Sequence, residues 1–93
     1  MEIDVADNPA AHRYEIRADG ELAGFVTYRE RPDALELVHT EVDDRFEGHG
    51  IGSKLVSFAL DDIRSRGLRL IPTCPFVRSY IERHSDYQDL VAS

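Results

Sequence analysis

Apolar and polar residues alternate through the first half of the chain, a pattern that predicts a β-sheet. Residues 12–18 place three apolar side chains on one side of an extended strand. The next two residues, Asp19 and Gly20, favour a tight hairpin turn because both tolerate the positive φ that such a turn requires. Strand patterns also cover the ranges 3–5, 21–29 and 34–42. The first half is therefore predicted to form an antiparallel meander.

The segment 34–42 has apolar residues on both of its faces. A period of two assigns Leu35, Leu37 and His39 to one face, and Val38, Thr40 and Val42 to the other. Strands that are apolar on both faces are usually covered on both sides. We therefore predict a central strand covered on both faces.

After residue 48 the spacing of apolar residues changes to about one in four, which is typical of a helix. The pattern predicts a helix over 49–66 with one buried face. The buried stripe comprises Ile51, Leu55, Ala59 and Ile63. Gly67 fits the position just past the helix, where glycine often stands.

A short strand and a second helix are predicted next. Residues 68–71 are apolar, and the preceding helix lets them pair in parallel with 34–42 through a right-handed crossover. Pro75 suits the first position of a helix over 75–84, because its missing N–H has no partner there. The polar tail is expected to pack back through Tyr87, Leu90 and Val91.

Composition indicates one soluble globular domain, 1–93. Of the 93 residues, 42% are apolar and 31% charged, and no segment approaches the length of about 20 apolar residues that a bilayer span needs. The net charge of −7 disfavours broad nucleic-acid binding, which needs a basic surface. The N-terminus lacks a signal-peptide pattern and Cys74 is the single cysteine, so a cytoplasmic location is predicted. No metal site is predicted.

Three glycines fall within five positions of the segment RFEGHGIGSKL, 45–55. They are Gly48, Gly50 and Gly52. A helix start has unpaired N–H groups and partial positive charge, and glycines let a phosphate approach them closely. The segment is not a P-loop, because Lys54 follows Ser53, nor a dinucleotide fingerprint, because Ser53 replaces the last glycine. The remaining interpretations are a different phosphate cradle and a tight contact between helix and sheet.

The spacing Arg45-x-x-Gly48-x-Gly50 resembles the R/Q-x-x-G-x-G/A motif of the GCN5-related N-acetyltransferases. In that superfamily the motif joins a central strand to a helix, and its backbone amides hold the pyrophosphate of coenzyme A. The segments EVDDRFEGHGIGSKLV (41–56) and IPTCPFVRSYIERHSDYQDLV (71–91) together resemble the small group marked by a cysteine and a glycine motif.

The resemblance implies an α/β fold of the α+β type, with a twisted, mainly antiparallel sheet and two packed helices. It implies that the sheet splays beside the glycine loop and that acetyl-CoA binds there. The residues implied for this cofactor are Val42, Arg45, Phe46, Gly48, His49, Gly50, Ile51, Gly52 and Ser53. Val42 is expected near the thioester carbonyl and the pantetheine arm.

Cys74 is the candidate nucleophile. It precedes Pro75 and therefore falls at the start of the second helix, where the helix dipole favours a thiolate. A thiolate can accept an acetyl group and pass it on. A lone cysteine is also commonly a small buried apolar residue, and Cys74 can equally shape the acetyl pocket without reacting.

Direct attack by an amine on the thioester needs a base instead. Glu41 and His39 are candidates, because a period of two places both on one face of the strand that leads into the glycine loop. The non-catalytic alternatives are that His39 is a half-buried, hydrogen-bonded strand residue and that Glu41 is a solvated carboxylate. Tyr80 and Tyr87 are candidates to protonate the departing thiolate by residue type alone, and the spacing of Tyr80 is that of a core residue.

The function predicted first is acetyl-CoA-dependent N-acetyl transfer to an amine. Full-length members of the superfamily have two helices between their first two strands, and NPAAH, 8–12, is too short for them. The acceptor side is therefore expected to be open, which fits an exposed amine on a protein or peptide. The alternatives are a non-catalytic acyl-CoA-binding module and a structural interaction domain.

Overall fold

Five strands form one sheet, and neighbours along the chain are also neighbours in the sheet. The computed structural model describes residues 1–92. The strands are β1 (Ile3–Asn8), β2 (Arg13–Ala18), β3 (Glu21–Arg31), β4 (Ala34–Val42) and β5 (Arg69–Pro72). The first four are antiparallel, and β5 runs parallel to β4. This mixed sheet with two main helices confirms the predicted α+β fold.

The connections between the early strands are short. Asp19 and Gly20 have φ of 50° and 83°, so the predicted hairpin turn is confirmed. Between β1 and β2 there is one short 3-10 helix, Pro9–Ala11, which leaves no room for two helices, as expected. β3 does not end at 29, because Arg31 still pairs with Ala34 across the turn.

Helix α1 spans Ile51–Ser65 and lies on one face of the sheet. Its buried stripe contains Ile51, Leu55, Val56, Ala59, Leu60 and Ile63. It begins two residues later than predicted, because Gly50 has a φ of 69° that a helix cannot continue through. Helix α2 spans Pro75–Arg83, with the proline in its first turn as predicted. None of the helices in residues 1–92 is long and apolar enough to cross a membrane.

Two tyrosine hydroxyls make partly buried hydrogen bonds, one from the sheet to helix α1 and one between two strands of the sheet. Tyr14 in β2 donates a hydrogen bond of 2.6 Å to Asp62 in α1, and Tyr28 in β3 donates one of 2.7 Å to Asp7 in β1. Burial, and then the bond to the carboxylate, raises the pKa of each hydroxyl well above its usual value. Arg66 lies 3.4 Å from Asp62. Because Tyr14 is buried, its bond fixes the position of α1 on the sheet.

A β-bulge interrupts the pairing of β3 with β4. Thr27 pairs with His39 and Tyr28 with Leu37, so that Val38 is left between two paired residues. One extra residue in a strand reverses the face on which the following side chains lie. The bulge therefore changes what the end of β4 presents to each side of the sheet.

The predicted faces of β4 are wrong beyond the bulge. Thr40 pairs with the fully buried Val26 and lies on the core face, whereas His39 and Glu41 lie on the opposite face with side chains 60% and 63% exposed. The central position of β4 between β3 and β5 is confirmed. The predicted cover on both faces is wrong, because the face that carries His39 and Glu41 is open.

The strands β4 and β5 separate beside the glycine loop, as predicted. Their pairing covers only Ala34–Leu37 of β4, and residues 38–42 extend beyond the end of β5. Helix α2 starts at this point and packs beside α1 against β4 and β5. The tail forms a 3-10 helix, Ser85–Leu90, that packs back through the buried Leu90. Ser93, the last residue of the tail, lies outside the described residues.

Candidate functional site

The loop between β4 and α1 is shaped by two glycines. After Val42 the chain forms a short 3-10 helix, Asp44–Phe46, and then passes through Gly48 and Gly50 with φ of 84° and 69°. Residues other than glycine rarely adopt these backbone conformations. A Cβ at either position would meet no atom within 4 Å among the described residues. These two glycines therefore serve the turn itself, and they leave the space beside the backbone free.

The start of α1 is open to an anion. Gly50 is its N-cap and supplies no side-chain cap, and its first turn has no acidic residue. The N–H groups of Ile51, Gly52 and Ser53 belong to the first turn of the helix, where no intrahelical partner exists. The helix dipole adds partial positive charge at the same point. This is the local electrostatic setting in which phosphate binds helices.

A cleft of about 300 Å³ opens over this loop. Seven of the residues expected to bind the cofactor line it: Val42, Phe46, Gly48, Gly50, Ile51, Gly52 and Ser53. Two expected residues, Arg45 and His49, are not in its lining, and Glu47 and Phe76 are there unexpectedly. The structure therefore gathers most of the predicted set around one cleft.

Arg45 braces the loop from outside. Its guanidinium lies 3.0 Å from Asp43 and 3.4 Å from Glu21, and it stands over the Phe46 ring at 5.3 Å. The hydrogen bond from Arg45 lowers the pKa of the Asp43 carboxyl. The arginine of the motif is therefore already paired with two carboxylates of the protein itself.

Gly52 differs from the other two loop glycines. It lies within α1, and a Cβ there would be 2.6 Å from Cζ of Phe76 in α2. The missing side chain at Gly52 therefore makes room for an aromatic ring. Phe76 belongs to α2, yet the residue is 38% exposed and lines the cleft.

Cys74 is the N-cap of α2 and is buried, with 3% of its surface exposed. Its N–H donates to the Leu37 carbonyl at 2.9 Å, at the point where β4 and β5 part. Its Sγ lies 3.2 Å from Oγ1 of Thr40, within hydrogen-bond distance. The thiol is thus held against the core face of β4.

His39 and Glu41 lie together on the other face of β4. Nε2 of His39 is 3.3 Å from Oε2 of Glu41. The expectation of a half-buried histidine is wrong, because the bulge turns this side chain to the open face. The bulge also separates this pair from Cys74, so the structure does not bring all three candidate catalytic residues together.

A second cleft, of about 380 Å³, is lined by Glu41 of this pair but not by His39. Apolar side chains and the carboxylates Glu41, Asp43 and Asp44 line it, and Val42 lines both clefts. The end of β4 is therefore a wall between a glycine-lined cleft on one side and an acidic cleft on the other.

The two candidate tyrosines are both engaged in packing. Tyr80 is 5% exposed and stacks on His84 with 4.0 Å between ring centroids. The Tyr87 hydroxyl donates to Asp61 at 2.7 Å, and burial followed by this bond raises the pKa of Tyr87. The core position that spacing indicated for Tyr80 is confirmed.

The fold and the loop are those of a known superfamily. The family model of GCN5-related N-acetyl-transferase matches residues 13–90. The chain therefore belongs to the GCN5-related N-acetyltransferase family, and the resemblance found from the two motifs is confirmed.

Curated relatives match over part of the chain. Protein NATD1 of Xenopus tropicalis, Mus musculus and Homo sapiens is 34% identical over 50 residues, which is 54% of this chain. The matched region is 46% of the first two proteins and 44% of the third. The chain thus spans about half the length of the curated relatives that it matches.

Solved structures share the fold over most of the chain. The solution structure of a GCN5-like protein from Staphylococcus aureus has a TM-score of 0.73 and 24% identity, and covers 97% of this chain and 88% of that one. The ribosomal-protein-alanine N-acetyltransferase from Brucella melitensis biovar Abortus 2308 has a TM-score of 0.61 and 25% identity. That match covers 87% of this chain and 62% of the other.

Proposed function

We propose that this protein is an acetyl-CoA-dependent N-acetyltransferase that acts on an amine of a protein or peptide in the cytoplasm. The observation that carries the proposal is the glycine loop. Two glycines with positive φ, an uncapped helix start and an open cleft occur together where the family places its cofactor. This combination favours binding of a pyrophosphate over mere packing.

The residues around the glycine-lined cleft fit coenzyme A. The N–H groups of Gly48 and of residues 50–53 would hold the pyrophosphate, as an uncapped helix start can. The part of β4 beyond Leu37 has no partner on β5, so its backbone is available to the pantetheine arm. Arg45 would keep the loop in shape through Asp43 rather than contact the phosphates.

The bound cofactor would supply the activated acetyl thioester. Glu41 and His39 would accept the proton of the acceptor amine through the gap that β4 and β5 leave where they separate, directly or through water, because both are exposed on the open face beside that gap. Cys74 would line the acetyl pocket without becoming acylated, because its thiol is buried against Thr40 and away from that pair. We therefore favour direct attack over a cysteine relay.

The acceptor side favours a cationic amine on a large substrate. Only the short 3-10 helix Pro9–Ala11 stands between β1 and β2 in the described residues. The adjoining cleft is lined by the carboxylates of Glu41 and Asp44, which would attract an ammonium group, and by Asp43, whose charge is already paired with Arg45. One solved relative is named for ribosomal-protein alanine, a protein acceptor. An open, acidic acceptor side suits a lysine or a terminal amine of a polypeptide.

Acetyl transfer to peptides tests this proposal. Peptides with a free terminus or an internal lysine are incubated with acetyl-CoA, and products are read by mass spectrometry. We expect acetylated peptide with the wild type and a large loss of rate with Glu41→Gln, which cannot act as a base. Tight acetyl-CoA binding without transfer to any amine would favour the acyl-CoA-binding module instead.

A further inference from the structure

Gly52 of α1 and Phe76 of α2 contact each other in the wall of the glycine-lined cleft. The ring tip of Phe76 points at the helix α1 backbone, with Cζ 2.6 Å from where a Cβ of Gly52 would lie. Its Cε1 and Cε2 atoms are 3.3 Å from the same point. A side chain at Gly52 and the present ring position are therefore mutually exclusive.

Phe76 also retains a free surface. It is one of the large apolar residues that stay exposed, at 38%, and that surface lines the cleft. An apolar ring beside a charged pyrophosphate gains little, whereas an apolar ring beside a neutral chain with methylene and methyl groups gains by removing area from water. In CoA that description fits the pantetheine arm.

The position of Phe76 along the cleft matches the same part of CoA. The ring touches Gly52, in the first turn of α1, and it stands two residues after Cys74, which contacts Thr40 of β4. A chain that leaves the start of α1 and follows β4 from Val42 toward Thr40 would run beside this ring, because the ring and Val42 line the same cleft. On that path the ring would lie between the phosphate end and the thioester end of the cofactor.

We infer that Phe76 binds the pantetheine arm of acyl-CoA, and that position 52 is glycine in order to seat this ring. The inference rests on the proposed function, since it assigns a residue to the same cofactor. It separates the roles of the three loop glycines. At Gly48 and Gly50 the missing side chain serves the turn and the approach of the phosphates, whereas at Gly52 it serves the wall of the cleft.

The test compares two ligands with several variants by calorimetry. CoA carries the arm, whereas 3′-phospho-ADP carries the pyrophosphate without it. We expect Phe76→Ala to weaken CoA binding about tenfold, equivalent to about 1.4 kcal/mol, and to leave 3′-phospho-ADP binding unchanged. The matched control is Phe58→Ala, because Phe58 is 37% exposed but packs on Tyr14, away from the cleft. We expect this control to bind CoA as the wild type does.

A double-mutant cycle tests the role of Gly52. The Gly52→Ala change is expected to push the ring into the cleft and to weaken CoA binding about fivefold, although alanine suits a helix better than glycine. In a Phe76→Leu background, where the shorter side chain does not reach the new Cβ, the same change should cost nothing. Phe76→Leu also serves if Phe76→Ala fails to fold.

Equal affinity of Phe76→Ala and wild type for CoA would overturn the inference while leaving the proposed function intact. An equal loss for CoA and 3′-phospho-ADP would also overturn it, because the ring would then act through the loop and not on the arm. Failure of the wild type to bind CoA at all would overturn the proposed function itself, and the inference with it.

Discussion

Replacing Gly50 with glutamate distinguishes two roles of a loop glycine, which are to form the turn and to let a phosphate approach the backbone. Gly50 has a φ of 69°, and a Cβ there would meet nothing within 4 Å. A residue with a side chain in this left-handed conformation lowers the free energy of unfolding by about 1–2 kcal/mol, and no clash adds to that loss. For a domain of this size, such a loss lowers the unfolding midpoint by about 4–8 °C per kcal/mol. The variant is therefore expected to fold.

Binding should respond very differently. The glutamate would stand at the N-cap of α1, where its bulk and negative charge oppose a pyrophosphate. We expect acetyl-CoA binding to Gly50→Glu to fall by at least a hundredfold in calorimetry.

Gly67 offers a matched control. It also has a φ of 69° with nothing within 4 Å of a Cβ, but it follows the other end of α1. Gly67→Glu thus carries the same backbone strain and the same added charge. The helix dipole favours a carboxylate near the start of a helix and disfavours one near its end, by about 0.3–1 kcal/mol, so the control is the less stable of the two variants. It should nevertheless bind acetyl-CoA as the wild type does. Undiminished binding by Gly50→Glu, or equal loss in both variants, would refute the reasoning.

Three further predictions concern the core, the open face and the thiol. Tyr14→Phe removes a hydroxyl that donates to Asp62 at 2.6 Å and should lower the free energy of unfolding by about 1.5–3 kcal/mol in urea titrations; no loss would show that the bond does not anchor α1. Burial opposes the charged form of Glu15, but hydrogen bonds from Arg13 and Asn8 outweigh the effect of burial and lower the pKa of this carboxyl. The ionised Glu15 therefore stabilises the folded protein above the unfolded pKa of about 4.3. That stabilisation is lost as the pH falls through the lower pKa of the folded state. Glu15→Gln should therefore be less stable than wild type at pH 7, with a difference that shrinks in acid; a constant difference would contradict this. Cys74→Ala should keep peptide acetylation within a few-fold of wild type, and an acetyl group trapped on Cys74, seen by intact mass, would contradict direct attack.

Local signals sufficed for much of the fold. The turn at Asp19 and Gly20, the stripe of α1 and the proline that starts α2 each depend on residues close in sequence. The glycine loop was also predictable, because its motif is contiguous and its place between strand and helix follows from a change in apolar spacing. The splay of β4 from β5 followed from the family resemblance.

The faces of β4 were not predictable in this way. Val38 is itself apolar and β-branched, so the period of two runs through the bulge without a break in the sequence. The bulge exists only in the pairing with β3. Its consequence is large, because His39 and Glu41 reach the open face while Thr40 meets Cys74.

Long-range contacts account for the remaining differences at the site. Gly52 and Phe76 lie in different helices, and nothing near either residue indicates that a ring fills the place of a side chain. Arg45 fits the motif, yet Asp43 and the distant Glu21 hold its guanidinium. Spacing along the chain does not reveal which groups are already paired in space.

Thermal unfolding with and without acetyl-CoA tests the central claim most directly, with ATP and NAD as controls. A ligand at about a hundred times its dissociation constant adds roughly 2.7 kcal/mol of stability, which corresponds to a rise in the midpoint of about 11–22 °C. The account predicts such a rise with acetyl-CoA alone. No rise at millimolar acetyl-CoA would mean that the glycines of the loop serve only the turn and the contact with Phe76, and the structural interaction domain would then be the better description.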